Sequence, residues 1–302
     1  MRKQILLSLT VLLVGILPSL AQDKEAAVVS CTPEENAVLN ETLPLLFTAY
    51  QEIAKGMDAN DPMPTVIALD SLATNYWNTI YPALPNCLEA GALGYNFGIV
   101  LDESLINTGL AQLSQYEAQY GDATLAQSLS DLVITRTDWY KIILANTFGQ
   151  ITKDGKLPDS MFSYELEACT VEDGESEAVT AYTDSVTAYN ELAQSVGEAT
   201  DENATAVLFG FAELGTNYWI KIYPELPACA EISQDGYNIG LLYNERVIVM
   251  MLSRLAAYEV QYGTTESAQT LTDGAAARSE LAKSFIEAAF PNPTAEATPE
   301  AK

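Results

Sequence analysis

The sequence predicts an all-α fold of two tandem, duplicated up-and-down four-helix bundles, each with one disulfide inside the repeat. Three observations lead to this prediction. The segment TNYWNTIYPALPNC at 74–87 returns as TNYWIKIYPELPAC at 216–229. Within each copy apolar residues recur at helical spacing, and Gly and Pro cluster where that spacing breaks. One pair of cysteines falls in each copy.

The first 21 residues have the features of an export signal. Arg2 and Lys3 precede an uncharged apolar run that reaches Leu20, and small residues at 19 and 21 suit a signal peptidase. The run is short for a membrane-spanning helix, and no lipid-anchoring cysteine follows the cleavage site. We therefore expect a secreted or periplasmic protein with no membrane insertion after signal cleavage.

The chain is strongly acidic, with 41 Asp and Glu against 14 Lys and Arg and a formal charge of -27. Such a surface repels nucleic acid phosphates, because binding there depends on Lys and Arg displacing counterions. We expect no nucleic acid partner, and we interpret the charge as favouring solubility outside the cell. Hydrophobic residues make up 48% of the chain, so the composition supports a folded core.

The duplication extends well beyond the opening segment. At the same offset of 142 residues, GYNFG at 94–98 aligns with GYNIG at 236–240, and YEAQYG at 116–121 aligns with YEVQYG at 258–263. Helical solenoid repeats are usually only about 33 to 47 residues long. We therefore favour two separate bundles over one continuous solenoid.

Each copy divides into four predicted helices. They span about 33–56, 63–81, 87–120 and 123–147 in the first copy, and about 170–197, 202–223, 229–262 and 265–289 in the second. Short connections make successive helices antiparallel neighbours. The predicted domains are a signal peptide at 1–21, a bundle at 22–148, a linker at 149–168, a bundle at 169–290 and a disordered tail at 291–302.

Four cysteines in an exported chain predict two disulfides. Cys31 begins the first helix and Cys87 follows the second, and these two points share one end of an antiparallel hairpin. Cys169 and Cys229 repeat the relation in the second copy. We therefore predict the disulfides Cys31–Cys87 and Cys169–Cys229. A metal site is disfavoured, because the sequence has no CxxC motif and no His.

A repeated set of aromatic and amide residues lies at equal distances on either side of the turn between the second and third helices of each copy. On antiparallel helices, equal distances place these residues in one layer. The layer comprises Asn75, Tyr76, Trp77, Tyr95 and Asn96, repeated as Asn217, Tyr218, Trp219, Tyr237 and Asn238. It either binds a small neutral ligand such as a sugar or packs as a hydrogen-bonded core layer. We favour the core layer, and a cavity above roughly 300 Å³ at either Trp would indicate a ligand.

Two glycines one helical turn apart accompany this layer, Gly94 with Gly98 in the first copy and Gly236 with Gly240 in the second. Each glycine in a helix interior costs roughly 1 kcal/mol relative to alanine. We interpret the pairs as strips of bare backbone against which a neighbouring helix, with its Trp, packs closely.

Glu103 and Arg136 lie at similar distances from the turn at Gly121, and Glu245 and Arg278 repeat the relation. Such a pair inside a bundle either forms a buried ion pair that sets the helix register or orients a carboxylate for proton transfer. We favour the ion pair, because an arginine neighbour is expected to lower the carboxyl pKa and so disfavours a general acid.

The absence of His excludes Ser-His-Asp and Cys-His nucleophile systems, His-ligated zinc and His-ligated haem. The sequence also has no glycine-rich phosphate loop, so we predict no cofactor. It favours an exported, non-catalytic binding or structural module that contacts an extracellular protein or a small neutral or cationic ligand. The alternatives are a small-ligand carrier or sensor that uses the aromatic layer, and a carboxylate-dependent hydrolase that uses Glu103 and Glu245.

Overall fold

A computed structural model describes residues 30–58, 60–148, 168–197, 199–200 and 203–289. Across these ranges the chain is helical and forms no strand. The predicted signal peptide, the predicted tail and nearly all of the predicted linker lie outside the described residues. Within the same ranges, no helix is sufficiently long and apolar to cross a lipid bilayer.

The helices follow the predicted boundaries closely. In chain order, α1 to α9 span Pro33–Lys55, Met63–Asn75, Leu88–Tyr120, Ala123–Phe148, Val171–Gly174, Glu177–Val196, Ala204–Asn217, Ala230–Tyr262 and Thr265–Ala289. The all-α class is therefore confirmed.

The first helix of each copy begins at a Cys-Thr pair. Thr32 and Thr170 each accept a hydrogen bond from the backbone N–H three residues on, and the acidic side chain at that position accepts from the threonine N–H. In the second copy this start lasts for a single turn, because α5 ends at Gly174 and α6 begins after Ser176. The predicted helix at 170–197 is thus two helices.

The second long helix of each copy widens before it ends. After α2 and α7 the backbone passes through π-helical turns at Tyr76–Ile80 and Tyr218–Ile222, and then through short 3₁₀ turns. A proline lies within each 3₁₀ turn, where it lacks the N–H that an α-helical continuation needs. The widened turn therefore marks the place where the helix can no longer extend.

The long helices α3 and α8 pack side by side at the centre of the molecule. Residues along α3 contact their own counterparts on α8: Tyr95 stacks on Tyr237, and the last aromatic pair, Tyr120 and Tyr262, stacks at a centroid distance of 3.8 Å. Between them the Met251 side chain lies against its counterpart, Gly109. Because counterparts meet at both ends and in the middle, the two helices are parallel and a pseudo-two-fold axis runs between them.

The remaining helices pack across the two copies. Helix α4 of the first copy packs against α7 of the second, and α9 of the second copy packs against α2 of the first. Two four-helix units result, α3, α4, α7 and α8 on one side and α2, α3, α8 and α9 on the other, and they share the central pair. The prediction of one separate bundle per copy is therefore not confirmed, because each four-helix unit takes two helices from each copy and the buried core is continuous.

Both predicted disulfides are confirmed. Cys31 pairs with Cys87 and Cys169 pairs with Cys229, with Cα atoms 5.0 Å apart in each case. The first bond joins the start of α1 to the start of α3, and the second joins the start of α5 to the start of α8. In the chain-entropy view, closing a loop of this size stabilises the fold by about 4 kcal/mol.

Candidate functional site

One buried arginine lies at the centre of each four-helix unit. In the unit of α3, α4, α7 and α8, Arg136 forms a two-pronged ion pair with Glu103, with Nε donating to Oε2 at 3.1 Å. Its Nη1 donates to Thr216 Oγ1 at 2.8 Å, and its Nη2 donates to Asn244 Oδ1 at 3.3 Å. We call this set, together with the Ala212 carbonyl that also accepts from Arg136, the neutral centre, because one cation meets one carboxylate.

The other unit holds a centre with more acid than base. Arg278 Nη2 donates to Asp102 Oδ1 and to Glu245 Oε1, each at 2.5 Å. Asp70 adds a third carboxyl, which interacts electrostatically with Arg278. We call these four residues the acidic centre. The Nε and Nη1 atoms of Arg278 and Oε2 of Glu245 make no hydrogen bond within the described part of the chain.

Sequence reasoning brought together the correct Glu and Arg residues but missed the other members of the centres. The differences between the aligned copies could have revealed the extra acids, because Asp102 aligns with Asn244 and Asp70 aligns with Ala212. Gly274 makes room for the additional carboxyl: a Cβ on Gly274 would lie 2.2 Å from Asp70 Oδ2. The two centres therefore share one architecture but differ in charge.

Burial controls the ionisation of these groups. Loss of hydration raises the pKa of Glu103, although the guanidinium of Arg136 opposes the shift. Burial likewise raises the pKa of Asp70, of Asp102 and of Glu245, against the attraction of Arg278. The arginines do lower these pKa values, as the sequence predicted, but the net shift is upward because the loss of hydration outweighs the arginine field.

The two tryptophans are packed inside the molecule. Trp77 is 3% exposed and donates from Nε1 to Asp102 Oδ2 at 3.1 Å, and Trp219 is 1% exposed and donates to Asn244 Oδ1 at 3.2 Å. Each indole thus binds the polar residue that also accepts from a buried arginine. Each also meets a ring from the last helix of the other copy, Phe285 for Trp77 and Trp139 for Trp219.

The glycine pairs lie where the aromatic rings need space. A Cβ on Gly98 would lie 2.0 Å from Trp77 Cζ2, and a Cβ on Gly240 would lie 2.1 Å from Trp219 Cζ2. The Tyr76 hydroxyl donates to the Gly94 carbonyl at 2.5 Å, and the same bond recurs in the second copy. The indoles therefore rest directly on the backbone of α3 and α8.

The structure separates the members of the predicted layer by burial. Tyr76 and Tyr218 are fully buried, while Tyr95 and Tyr237 are half-buried and stack across the pseudo-two-fold axis. Tyr237 donates from its hydroxyl to Asn96 Oδ1 at 3.1 Å.

The other amides of the predicted layer differ in exposure. Asn75 is exposed, and Asn217 and Asn238 are half-buried. The contacts of the tryptophans and tyrosines are those of a packed core layer.

A groove of about 490 Å³ opens at the far end of the central helices, between the start of α2 and the turn joining α8 to α9. Met63, Pro64 and Ile67 form its apolar wall, and Glu259, Thr264 and Ser267 line the opposite side. Glu259 accepts from the Tyr116 hydroxyl and, at 2.9 Å, from the Thr264 backbone N–H. Neither tryptophan lines this groove.

Among the described residues, no group of three or more His, Cys, Asp or Glu side chains has an arrangement that could hold a metal ion. No known protein family, curated protein or solved structure matches this chain.

Proposed function

We propose that the protein is an exported, non-catalytic binding module whose small ligand occupies the groove between α2 and the α8–α9 turn. One contrast carries the proposal. The reactive groups of the core are enclosed and engaged with one another, whereas the groove is open and concave. Its volume of about 490 Å³ lies within the range of small-molecule sites, which are mostly apolar with a few placed polar groups.

The burial of the core carboxyls supports a role without catalysis. Glu103 and Glu245 are 0% exposed, and each is paired with an arginine. A glycosidase-type carboxyl must reach the bond that it protonates or attacks, so it needs contact with the substrate. A hydrolase that uses these two residues has no such contact in this fold.

The sequence and the disulfides support a location outside the cytoplasm. Residues 1–21 carry the pattern of an export signal, and two disulfides of this kind persist in oxidising compartments. The strong negative charge suits a protein that must stay dispersed there.

The proposal is tested with the mature chain and a groove-filled variant, Ile67→Phe with Ser267→Leu. Phe209 and Leu125 are the counterparts of these positions across the pseudo-two-fold axis, so the variant copies side chains that the fold already holds in the equivalent place. A small-molecule and glycan library is screened by thermal shift against both proteins. Compounds that bind the groove should raise the melting temperature of the wild type but not of the variant.

The screen has two outcomes against the proposal. If no compound stabilises the wild type, the binding role loses its support. If every active compound stabilises both proteins equally, the groove is not the site. A control with the reverse changes, Phe209→Ile with Leu125→Ser, should leave binding to the original groove intact.

A further inference from the structure

Across the pseudo-two-fold axis, the site equivalent to the groove has an arginine beside its glutamate. At that position Glu117 is the equivalent of Glu259, and Arg254 is the equivalent of Gln112. Both glutamates lie just before the glycine turn that ends a central helix, and both are buried. The Glu117 site therefore has the same backbone arrangement as the groove, with a cation beside its acid.

In this counterpart site, the guanidinium of Arg254 lies next to the acid. Its Nη2 lies 3.5 Å from Glu117 Oε1, and its Nε donates to Thr205 Oγ1 at 2.8 Å. The guanidinium also lies 4.5 Å from the centre of the Tyr258 ring. Burial would raise the pKa of Glu117, but hydrogen bonds from Thr205, Tyr258 and the Asp122 backbone, together with the charge of Arg254, lower it.

The groove keeps the acid and its hydrogen-bond donors but lacks the cation. Glu259 accepts from Tyr116 and from the Thr264 N–H, as Glu117 accepts from Tyr258 and from the Asp122 N–H. The arginine position is Gln112, whose buried Oε1 makes no hydrogen bond with the described residues.

Charge and shape then define the missing group. Asp61 and Glu259 line the groove, and among the described residues none that lines it is Lys or Arg. In place of Thr205, which donates to the arginine-bound acid, the groove has the apolar Met63. The groove is therefore acidic at one side and apolar at the other, which complements a cation carried on an alkyl chain.

We propose that the groove binds an alkyl guanidinium, with its cation beside Glu259 in the place that Arg254 takes beside Glu117 and its alkyl chain along Met63 and Ile67. This inference rests on the proposed function and specifies the chemistry of its ligand. The same group occurs in free alkylguanidines and in the arginine side chain of a peptide.

The test titrates the mature protein with butylguanidinium and, separately, with its neutral analogue butylurea, and follows backbone amide shifts by NMR. A charge-assisted hydrogen bond makes butylguanidinium bind about tenfold or more tightly than butylurea, with the largest shifts around the groove. Glu259→Gln should remove most of that preference, and added salt should weaken binding of the cation but not of butylurea. The tripeptide Gly-Arg-Gly forms a second arm: tighter binding than butylguanidinium points to a peptide source, and weaker binding to a free small molecule.

Two variants exploit the internal comparison. Gln112→Arg supplies the chain's own guanidinium and should abolish binding of butylguanidinium. Arg254→Gln combined with Phe209→Ile and Leu125→Ser opens the counterpart and should raise the stoichiometry from one to two. If either variant does not fold, the wild type and Glu259→Gln still decide the matter. Equal binding of butylurea and butylguanidinium, or no saturable binding of the cation, overturns the inference. If library compounds bind the groove while butylguanidinium does not, the proposed function stands and the ligand class is wrong.

Discussion

Replacing Asp102 with Asn should change the pH dependence of stability more than it changes stability itself. In the acidic centre, Asp102 and Glu245 share one nitrogen of Arg278, and Asp70 adds further negative charge. The equivalent residue in the neutral centre is Asn244, so the pseudo-two-fold arrangement already accommodates an amide at this position. The change therefore removes excess charge without leaving Arg278 unpaired.

The sign follows from the raised pKa values. A carboxyl whose pKa is higher in the folded state makes that state bind more protons, so the free energy of unfolding falls as pH rises. The stabilisation is complete below the ordinary values of 3.8 for Asp and 4.5 for Glu and is lost as pH rises through the folded values. Each proton held in this way contributes a slope of about 1.4 kcal/mol per pH unit.

The Asp102→Asn variant should flatten this slope. It removes one carboxyl with a raised pKa, and it removes the repulsion that helps to raise the pKa of Glu245. We expect a slope shallower by about 1.4 kcal/mol per pH unit wherever the wild type holds the extra proton. The reciprocal change, Asn244→Asp, places a second carboxyl beside Arg136 and should steepen the slope.

The assay is urea unfolding of the mature, disulfide-intact protein at several values between about pH 5 and pH 8 for the wild type and both variants. A loss of about 3 to 5 kcal/mol in Asp102→Asn with an unchanged slope would refute the reasoning. That result would mean that Arg278 needs the charge of Asp102, so that its removal leaves a buried cation without a sufficient counter-charge.

Two further predictions concern packing and cross-linking. Gly98→Ala should cost about 1 to 3 kcal/mol, because its Cβ would lie 2.0 Å from Trp77 Cζ2, whereas Gly91→Ala, with nothing within 4 Å, should gain about 0.5 to 1 kcal/mol. Urea midpoints measure both, and equal stability of the two variants would contradict the close glycine contact. Replacing Cys31 and Cys87 together with Ser should lower stability by about 4 kcal/mol. A calorimetric change below about 1 kcal/mol would mean that this loop is already ordered in the unfolded chain.

The local features of the fold were predictable because nearby residues determine them. Helix boundaries follow apolar spacing and the Gly and Pro breaks, and the disulfides follow from which helix ends meet in a hairpin. The close contact between Gly98 and Trp77 was also anticipated, since a conformationally costly glycine in a helix needs a packing reason. All of these features arise from interactions within one copy, where the short distance along the chain limits the possible partners.

Periodicity could not predict whether a helix packs against a helix of its own copy or against the equivalent helix of the other copy. The two copies carry similar apolar faces, so α4 can bury its face on a helix of its own copy or on the equivalent helix of the other. Periodicity describes which face of a helix is buried and contains no information about which of two similar surfaces buries it. The groove was not predictable from the sequence either, because one of its walls comes from the first copy and the other from the α8–α9 turn of the second.

By itself, the sequence determined that the chain is acidic and all-α and that its disulfides are Cys31–Cys87 and Cys169–Cys229. Helix period is a property of short stretches, and the cysteine pairing follows from which helix ends meet in a hairpin. Only the tertiary structure decided that the copies interlock around α3 and α8. It also decided that Asp102 and Asp70 share one arginine with Glu245, and that Glu259 lies in a groove without the cation present beside Glu117. Those properties arise when side chains from distant parts of the chain compete for the same buried charge and space.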